Sequence, residues 1–209
     1  MNALSRIFEI HPIDPQPRLL RQVADIIRDS GVIVYPTDST YALGCHLGDK
    51  AALERIRRIR RTERDHDFTL VCSDLSEIAT YAHVDNWAYR MIKALTPGPF
   101  TFILKATGDV PKRLRDPKRR SIGIRVPDNR IASGLLKEMG QPIMSSTLLL
   151  PEDSVPLSEI EEIRERVGQL VDAIIDGGAG GIEPSTVVDL SHGRVEVLRR
   201  GKGDISAFE

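Results

Sequence analysis

The sequence predicts a single α/β domain built on a mixed sheet of parallel and antiparallel strands flanked by helices. Short β-branched runs alternate with segments of helical periodicity, which is the pattern of a sheet covered by helices. Two strand-like runs on either side of Ser191–Gly193 indicate an antiparallel pair at the end of the chain. The 209 residues, 41% of them hydrophobic, suffice to bury one core, and we find no linker or internal repeat that divides them.

The first half of the chain alternates helices with short strands. Apolar residues at helical spacing predict a helix over residues 15–30, which ends at Gly31. A β-branched strand at residues 32–35 then leads into a hydroxyl-rich loop over residues 36–44. Residues 49–61 open with an N-cap residue and place their arginines opposite an apolar face, so they predict a basic amphipathic helix. The elements that follow are a strand at 68–72, a short helix from Asp74 to Ala82 and a helix at 85–95.

The second half begins at residues 96–99, where two prolines and a glycine break the chain. Strands at 100–105 and 121–126 flank a basic loop, and a helix at 130–139 ends at Gly140. The remaining elements are an extended run at 143–150, a helix at 158–167, and strands at 171–175, 186–190 and 195–199. A glycine run at 177–181 lies between two of these strands and is weak support for a ligand loop.

The balance of 29 basic and 30 acidic residues conceals a strong asymmetry of charge. Residues 55–64 hold six arginines and one glutamate, a balance of +5, and residues 111–125 have a balance of +6. Residues 152–176 carry eight acids and two arginines, a balance of −6. A single basic run is usually a solvated face, but two such runs oppose compaction unless an anion such as phosphate offsets them. An anionic ligand is therefore favoured.

Several function classes are disfavoured by the residues. Cys45 and Cys72 form no CxxC pair and the five histidines lack metal-ligand spacing, which argues against a disulfide framework, thiol redox chemistry and structural zinc. The sequence holds no P-loop and no nucleophile elbow. No apolar stretch approaches the ~20 residues of a membrane span, and the N-terminus lacks a signal pattern, so we expect a cytoplasmic protein without membrane contact.

The side chains that remain as candidates are hydroxyls and arginines. The loop at 36–44 follows a strand and presents hydroxyls at a sheet edge, although an ordinary Thr/Asp/Ser turn explains the same residues. Arg125, at the end of a predicted strand, is either a fixed ligand group or half of a structural ion pair. Hydroxyls with arginines suit phosphoryl or nucleotidyl binding, where positioning and charge neutralisation supply most of the catalysis.

Seven features occur in an order that resembles a known family: PTDSTYALG, an arginine-rich helix, PGPFTFIL, SIGIRVP, IMSST, PSTVVD and VLRRG. This order closely resembles the YrdC-like family, and most closely its YciO branch, over about residues 10–203. The resemblance implies one α/β domain whose large twisted mixed sheet forms a concave basic cavity. Characterised members of the family make threonylcarbamoyl-adenylate from L-threonine, bicarbonate and ATP with Mg²⁺, for the modification of tRNA, and several bind tRNA or double-stranded RNA.

The resemblance also implies roles for individual residues. The positions that match the threonine pocket are Thr37, Ser39, Tyr41, Arg125, Ser145 and Ser185, with Arg125 holding the carboxylate. The positions that match nucleotide contacts are Arg60, Arg61, Ser121, Thr147 and Arg199. The basic patch that would bind RNA consists of Arg58, Lys112, Arg113, Lys118, Arg119 and Arg120.

Three departures from the family pattern leave two functions open. The family's K-x-R-P loop appears here at residues 58–63 without lysine or proline, and Arg60 is its best match. The asparagine of the S-x-N element is replaced by Leu149, and the histidine after the next strand is absent. The first hypothesis is an ATP-using L-threonylcarbamoyladenylate synthase-like protein. The second is a non-catalytic protein of the same fold that binds double-stranded RNA or tRNA.

Overall fold

The computed structural model describes residues 5–61, 68–115 and 120–208 and has an 11-stranded mixed sheet at its centre. The strands are β1 (Arg6–Glu9), β2 (Ile33–Pro36), β3 (Tyr41–His46), β4 (Thr69–Val71), β5 (Ala82–His83), β6 (Phe100–Ala106), β7 (Ser121–Arg125), β8 (Ile143–Thr147), β9 (Ala173–Asp176), β10 (Thr186–Asp189) and β11 (Glu196–Arg199). The order across the sheet is β1-β9-β2-β3-β8-β4-β7-β6-β10-β11, and β5 pairs with β6 beside this path.

Parallel and antiparallel pairs both occur in this sheet. Strand β9 runs parallel to both β1 and β2, and the pairs β4–β7 and β6–β10 are also parallel. The pairs β2–β3, β3–β8, β4–β8, β6–β7 and β10–β11 are antiparallel. The predicted α/β fold with a mixed sheet, and the antiparallel pair at the end of the chain, are therefore confirmed.

Six α-helices pack on the two faces of the sheet. They are α1 (Pro17–Arg28), α2 (Lys50–Arg60), α3 (Leu75–Tyr81), α4 (Asn86–Leu95), α5 (Arg130–Met139) and α6 (Ile160–Val167). Their ends follow the capping residues in the sequence, since the side chains of Asp49, Asp74 and Asn129 each accept a hydrogen bond from an N–H in the first turn of a helix. Gly140 ends α5 in the left-handed conformation, with φ of 67°.

The helices divide unequally between the faces, and this division shapes the site. Apolar residues of α2, α3, α4 and α6 join one core on the first face. On the second face, α1 and α5 are the helices of the described residues that contribute, and their core takes in residues of β1, β9, β2 and β3 together with Ile143 of β8 and Val71 of β4. No residue of β7, β6, β10 or β11 in the described ranges belongs to this second core. None of the helices in the described ranges is long and apolar enough to cross a membrane.

The structure corrects the predicted boundaries of several elements. The predicted loop over residues 36–44 is a tight turn followed by β3, which pairs with both β2 and β8. Strand β3 contains an alanine and a glycine, which make it weakly apolar. Its alternation of small and large residues is therefore not visible in the sequence as a strand pattern. The run at 143–150 is a strand only to Thr147, because the chain then leaves the sheet. Strands β1 and β5 were not predicted, and both lie at the margin of the sheet.

Candidate functional site

A cavity of about 680 Å³ lies over the part of the sheet that no helix covers. Its floor comes from β4, β6, β7, β8 and β10, and its walls come from the end of α2, from β11 and from two loops. Polar and charged residues of the lining are Thr40, Arg60, Thr69, Thr101, Arg125, Ser145, Ser146, Thr147, Ser154, Glu183, Ser185 and Arg199. Its apolar residues include Ala42, Val71, Ile103, Leu149, Val155, Pro156, Ile182, Pro184, Val187 and Leu198.

Hydroxyl groups on the floor are held in place from below and from the side. The Oγ of Ser145 bonds the buried hydroxyl of Tyr35 at 2.7 Å, and the Oγ of Ser185 bonds the Oγ1 of Thr101 at 2.8 Å. Between these pairs Gly123 leaves room, since a Cβ there would lie 3.3 Å from the side chain of Thr101. A fixed pair of hydroxyls beside open space is an arrangement that can position a polar ligand.

Tyr35 supports this floor as a neutral group. It is fully buried, and burial raises its pKa from 10.0 to about 12, against a smaller opposing effect of its bond to Ser145. A Cβ on Gly44 of the neighbouring strand would come within 2.9 Å of the Tyr35 ring. The glycine in β3 therefore provides the space in which this tyrosine packs.

Arg125 stands at the end of β7 and forms a buried ion pair. Its Nη2 donates to Oδ1 of Asp38 and, at 2.8 Å, to Oγ of Ser39. The side chains of Arg125 and Asp38 are 10% and 9% exposed. Oδ2 of Asp38 accepts the N–H of Asp128 at 3.0 Å, so both carboxylate oxygens are engaged. The Nε of Arg125 is buried and has no hydrogen-bond partner in the described residues.

Arg60 and Arg199 face the cavity from its walls. Arg60, in the last turn of α2, donates from Nε to the carbonyl of Leu149 at 3.3 Å and from Nη1 to Oγ of Ser146 at 2.5 Å. Arg199, in β11, donates from Nε and Nη2 to the carbonyl of Ser185 at 3.1 and 2.9 Å. Burial lowers the pKa of both guanidinium groups, with a further contribution from Arg199 at Arg60 and from Arg125 at Arg199.

Arg199 therefore repels Arg60, and Arg125 repels Arg199, in a partly desolvated space. The pKa values of Arg60 and Arg199 fall from a start of 12.5, and an arginine side chain stays charged at neutral pH. A ligand with negative charge removes this repulsion and gains charge-assisted hydrogen bonds. The electrostatics of the cavity consequently favour anions such as carboxylate and phosphate.

The turn between β2 and β3 holds Asp38 and Ser39 beside Arg125. Thr37 stabilises the turn itself, because its Oγ1 donates to the carbonyl of Thr40 at 2.6 Å and accepts the N–H of Thr40 at 3.2 Å. The glycine run packs against the turn, since a Cβ on Gly181 would lie 2.1 Å from the carbonyl oxygen of Ser39. The glycines thus serve close backbone packing.

Tyr41 lies on the other side of β3 and does not line the cavity. Its hydroxyl donates to the carbonyl of Gly178 at 2.6 Å and accepts the N–H of Gly177 at 3.2 Å. Burial raises the pKa of Tyr41 from 10.0 to about 12. Strand alternation explains this placement, because residues 41–44 of the expected loop belong to a strand in which Ala42 faces the cavity, with Thr40 lining it just before the strand begins.

Most of the predicted site residues meet in the cavity. Those that line it are Arg60, Arg125, Ser145, Thr147, Ser185 and Arg199, together with Leu149 at the position of the family's asparagine. Ser39 takes part through its bond to Arg125 and Thr37 through the turn. Ser121 lies buried at the start of β7, and Arg61 is 73% exposed and pairs with Glu152 at 2.9 Å, so neither lines the cavity.

Several residues of the site were missed by sequence reasoning. Asp38 was present in the quoted PTDSTYALG motif, and an acid next to hydroxyls was a signal for the partner of Arg125. Tyr35, Thr69 and Thr101 occupy ordinary strand positions and carried no local signal. Their part depends on which strands become neighbours, and that is a property of the topology.

The predicted basic patch is only partly described by the structure. Arg58 on α2, Lys112 in the turn at Lys112–Leu114 and Arg120 before β7 are exposed, and none of the three forms an ion pair within the described residues. Lys118 and Arg119 lie outside the described residues, as does the side chain of Arg113. The described part of the patch is therefore solvated positive charge.

Metal-binding side chains do not gather in the described part of the chain. Groups of three or more His, Cys, Asp or Glu side chains able to hold an ion are absent there. The residues around the cavity therefore do not fit a protein-bound Mg²⁺ of their own, and we derive no step through one.

Fold and site together define an α/β protein with an arginine- and hydroxyl-lined cavity on the open face of its sheet. The family model Sua5_yciO_yrdC, described as "Telomere recombination", matches residues 25–201. The chain therefore belongs to the Sua5/YciO/YrdC family, as the order of motifs predicts.

Individual relatives agree with this assignment. A Haemophilus influenzae protein named "Uncharacterized protein" is 54% identical over 206 residues, which are 98% of this chain and 100% of that protein. The threonylcarbamoyl-AMP synthase of Cellvibrio japonicus is 30% identical over 174 residues, 82% of this chain and 91% of the relative.

Solved structures show the same fold. The crystal structure of Escherichia coli YciO superimposes with a TM-score of 0.95 at 51% identity, covering 99% of this chain and 100% of that one. The P. abyssi Sua5 structure complexed with L-threonine gives a TM-score of 0.87 at 24% identity, covering 94% of this chain and 58% of that chain. At this lower identity the likeness concerns the fold alone.

Proposed function

We propose that this protein binds ATP and L-threonine in the cavity and makes L-threonylcarbamoyladenylate or a closely related carbamoyl-adenylate. One observation carries the proposal: Arg60, Arg125 and Arg199 come from three distant parts of the chain and converge on one cavity with fixed hydroxyls. The relative from Cellvibrio japonicus bears the name of this activity, and the P. abyssi Sua5 structure holds L-threonine.

Arg125 is the group that suits the carboxylate of the amino acid. Its Nη2 is engaged by Asp38 and Ser39, which fixes the plane of the guanidinium. Its buried Nε lacks a partner in the described residues, and a buried donor without an acceptor costs about 1–3 kcal/mol. A carboxylate oxygen of threonine that reaches this Nε satisfies the donor, and Ser145 lines the same cavity, where its hydroxyl can bond the remainder of the amino acid.

Arg60 and Arg199 are the groups that suit the phosphates of ATP. Arg60 lines the cavity from the end of α2, and Arg199 bonds the neutral carbonyl of Ser185 and keeps donors for further bonds. As negative charge develops on the α-phosphate and on the departing pyrophosphate, fixed cations in a partly desolvated cavity stabilise it. Mg²⁺ enters as part of the MgATP substrate, bound to phosphate oxygens.

The proposed reaction has two steps. The amine of threonine and bicarbonate combine to a carbamate with loss of water. A carbamate oxygen attacks the α-phosphorus of ATP, forming a P–O bond while the bond to the bridging oxygen breaks and pyrophosphate leaves. The residues of the chain contribute orientation and charge neutralisation, and no covalent intermediate with a side chain is needed.

Leu149 marks a difference from the synthases. It lines the cavity with an apolar side chain where the family carries an amide, and its carbonyl accepts from Arg60. The main-chain contact to Arg60 is independent of the side chain, so the arginine stays in place. The lost amide removes one polar contact to the ligand, and we expect a slower or less selective reaction for that reason.

The test is pyrophosphate release from MgATP and bicarbonate, with and without L-threonine. We expect threonine-dependent release that falls about 100-fold or more in Arg199→Gln, the range seen when one transition-state donor is lost. Arg125→Lys keeps a charge beside Asp38 but loses the planar fork. We expect the L-threonine concentration that gives half-maximal release to rise about tenfold or more in this variant. Arg194→Gln, an exposed arginine before β11, is the matched control and keeps the activity of the unaltered protein.

Release that does not depend on L-threonine, or that is equal in Arg199→Gln and Arg194→Gln, would contradict the proposal. Circular dichroism and thermal unfolding of each variant separate a loss of chemistry from a loss of fold.

A second function, binding of double-stranded RNA or tRNA, is favoured by the exposed charges of Arg58, Lys112 and Arg120, which form no ion pair in the described residues. Phosphate contacts of this kind release counterions, so affinity should fall steeply with salt and depend little on sequence. Binding of a duplex RNA that is unchanged between low and physiological salt would rule this function out.

A further inference from the structure

We infer that Asp38 sorts anions within the cavity, by cancelling the charge of Arg125 so that phosphate binds at Arg60 and Arg199 and not at the floor. The identity of the carboxylate ligand rests on the proposed function, whereas the sorting of phosphate does not. Asp38 lies outside the cavity lining and determines what the lining accepts.

Arg125 has no complete edge left for a bidentate ligand. A guanidinium binds a carboxylate or phosphate most strongly through two parallel N–H bonds from one edge. Both such edges include Nη2, and Nη2 already donates to Asp38 and Ser39. The remaining donors, on Nε and Nη1, do not share an edge, so each offers a ligand single bonds, which suits one carboxylate oxygen better than the several oxygens of a phosphate.

Net charge also distinguishes the floor of the cavity from its walls. The ion pair of Arg125 and Asp38 is buried on both sides, so the floor is close to neutral overall. Arg199 forms no ion pair with a carboxylate of the described residues, and its guanidinium bonds the carbonyl and Oγ of Ser185. A group with two or more negative charges therefore gains more at the walls than at the floor.

The position of Asp38 is fixed independently of Arg125. Its Oδ2 accepts from Asp128, and its carbonyl oxygen accepts from the exposed Nζ of Lys202 at 2.5 Å. The ammonium of Lys202 is solvated and bonded to the main chain. It therefore does not restore to the floor the positive charge of Arg125 that Asp38 cancels. Asp38 consequently remains beside Arg125 when a ligand enters the cavity.

Calorimetric binding of inorganic pyrophosphate tests the inference without any reaction. We expect the unaltered protein to bind about one pyrophosphate, without effect on L-threonine affinity, because the two anions occupy different places. Asp38→Asn keeps the size and an acceptor oxygen but leaves Arg125 with its full charge. That variant should bind about two pyrophosphates, and pyrophosphate should then weaken its apparent L-threonine affinity roughly tenfold at saturating concentrations.

Two further variants make the result specific. Arg199→Gln should lose the pyrophosphate of the unaltered protein and retain L-threonine binding. Asp128→Asn contributes only its N–H to Asp38, so its side chain is a matched control and the variant should still bind one pyrophosphate.

Each other outcome overturns the inference. One pyrophosphate in Asp38→Asn without competition, two in the unaltered protein, or none in the unaltered protein all contradict charge sorting by Asp38. If the unaltered protein binds pyrophosphate but not L-threonine, the proposed function fails, and the stoichiometry in Asp38→Asn still decides the inference.

A second measurement on the unaltered protein covers a variant that fails to fold. The Nε–H resonances of Arg125 and Arg199 can be followed by NMR and assigned from single arginine substitutions. Pyrophosphate should shift the Arg199 resonance and leave that of Arg125 in place, and a shift of Arg125 of similar size would refute the sorting.

Discussion

The ion pair between Arg125 and Asp38 should couple the stability of the fold to the site. We consider Arg125→Gln, Asp38→Asn and the double variant. Removing one partner of a buried pair leaves the other charge desolvated, which costs about 3–5 kcal/mol. The side chains of Arg125 and Asp38 are 10% and 9% exposed, so this cost of about 3–5 kcal/mol applies to them without a large correction for solvent screening.

We expect Arg125→Gln to lower the free energy of unfolding by about 3–5 kcal/mol, because the carboxylate of Asp38 then keeps only the N–H of Asp128. Asp38→Asn should cost less, about 2 kcal/mol, because its amide oxygen still accepts from Nη2. The double variant has no buried charge and should be less destabilised than the sum of the single variants by at least about 1 kcal/mol.

Urea and thermal unfolding measure this cycle. For a domain of this size 1 kcal/mol corresponds to about 2–4 °C, so Arg125→Gln should unfold roughly 6–20 °C below the unaltered protein. Additive effects of the two substitutions would refute the reasoning, since they would mean that the charges do not sense one another in the folded state. A double variant at Arg21 and Glu138, an ion pair with one side chain 63% exposed, is the matched control and should show little coupling.

Three further predictions follow from single features. Cys45 and Cys72 are fully buried, and burial raises the pKa of both thiols, that of Cys45 to about 12. A thiol reagent should therefore modify neither cysteine before the protein unfolds, and rapid modification of the native protein would contradict their placement. Gly181→Ala places a Cβ 2.1 Å from a carbonyl oxygen and should destabilise the protein by more than about 2 kcal/mol. The control Gly108→Ala places a Cβ with nothing within 4 Å and should be nearly neutral, and equal unfolding midpoints of the two variants would contradict the prediction. The folded pKa of Tyr35 is raised to about 12 from 10.0, so its contribution to the free energy of unfolding is present below pH 10 and is lost as pH rises toward 12. The pKa of Tyr41 is raised in the same way, so the absorbance of tyrosinate should show a late ionisation whose amplitude falls in Tyr35→Phe without vanishing, and an unchanged amplitude would contradict the assignment to Tyr35.

The fold was predictable to the extent that local signals were strong. Helix α5 was predicted over the same residues that the structure shows, because Asn129 caps its start and Gly140 ends it. Strand β3 was missed because Tyr41, Ala42 and Gly44 read as a polar turn, and its strand character comes from pairing on both sides with β2 and β8. Tertiary pairing overrode a weak local preference there.

The same contrast holds for the site. Residues in motifs with unusual chemistry, such as Arg125 and Arg199, were predicted, and the structure places them in the cavity. Tyr41 belongs to an equally distinctive motif, yet it faces the opposite side because a strand alternates its side chains where a loop does not. Thr69 contributes to the floor only because β4 lies beside β7, which no local pattern reveals.

The order of the strands also governs how the protein must be built. Arg6 of β1 pairs with Ala173 of β9, and Thr186 of β10 inserts beside Phe100 of β6, so strands far apart in the sequence become neighbours. Contacts between distant segments slow folding, since a long loop must close before they form. On the ribosome the first strand leaves the exit tunnel long before its partner is synthesised, and its edge stays open during that interval. The cavity is complete only when β11, which carries Arg199, has joined the sheet, so a chain without β11 lacks one wall of the cavity.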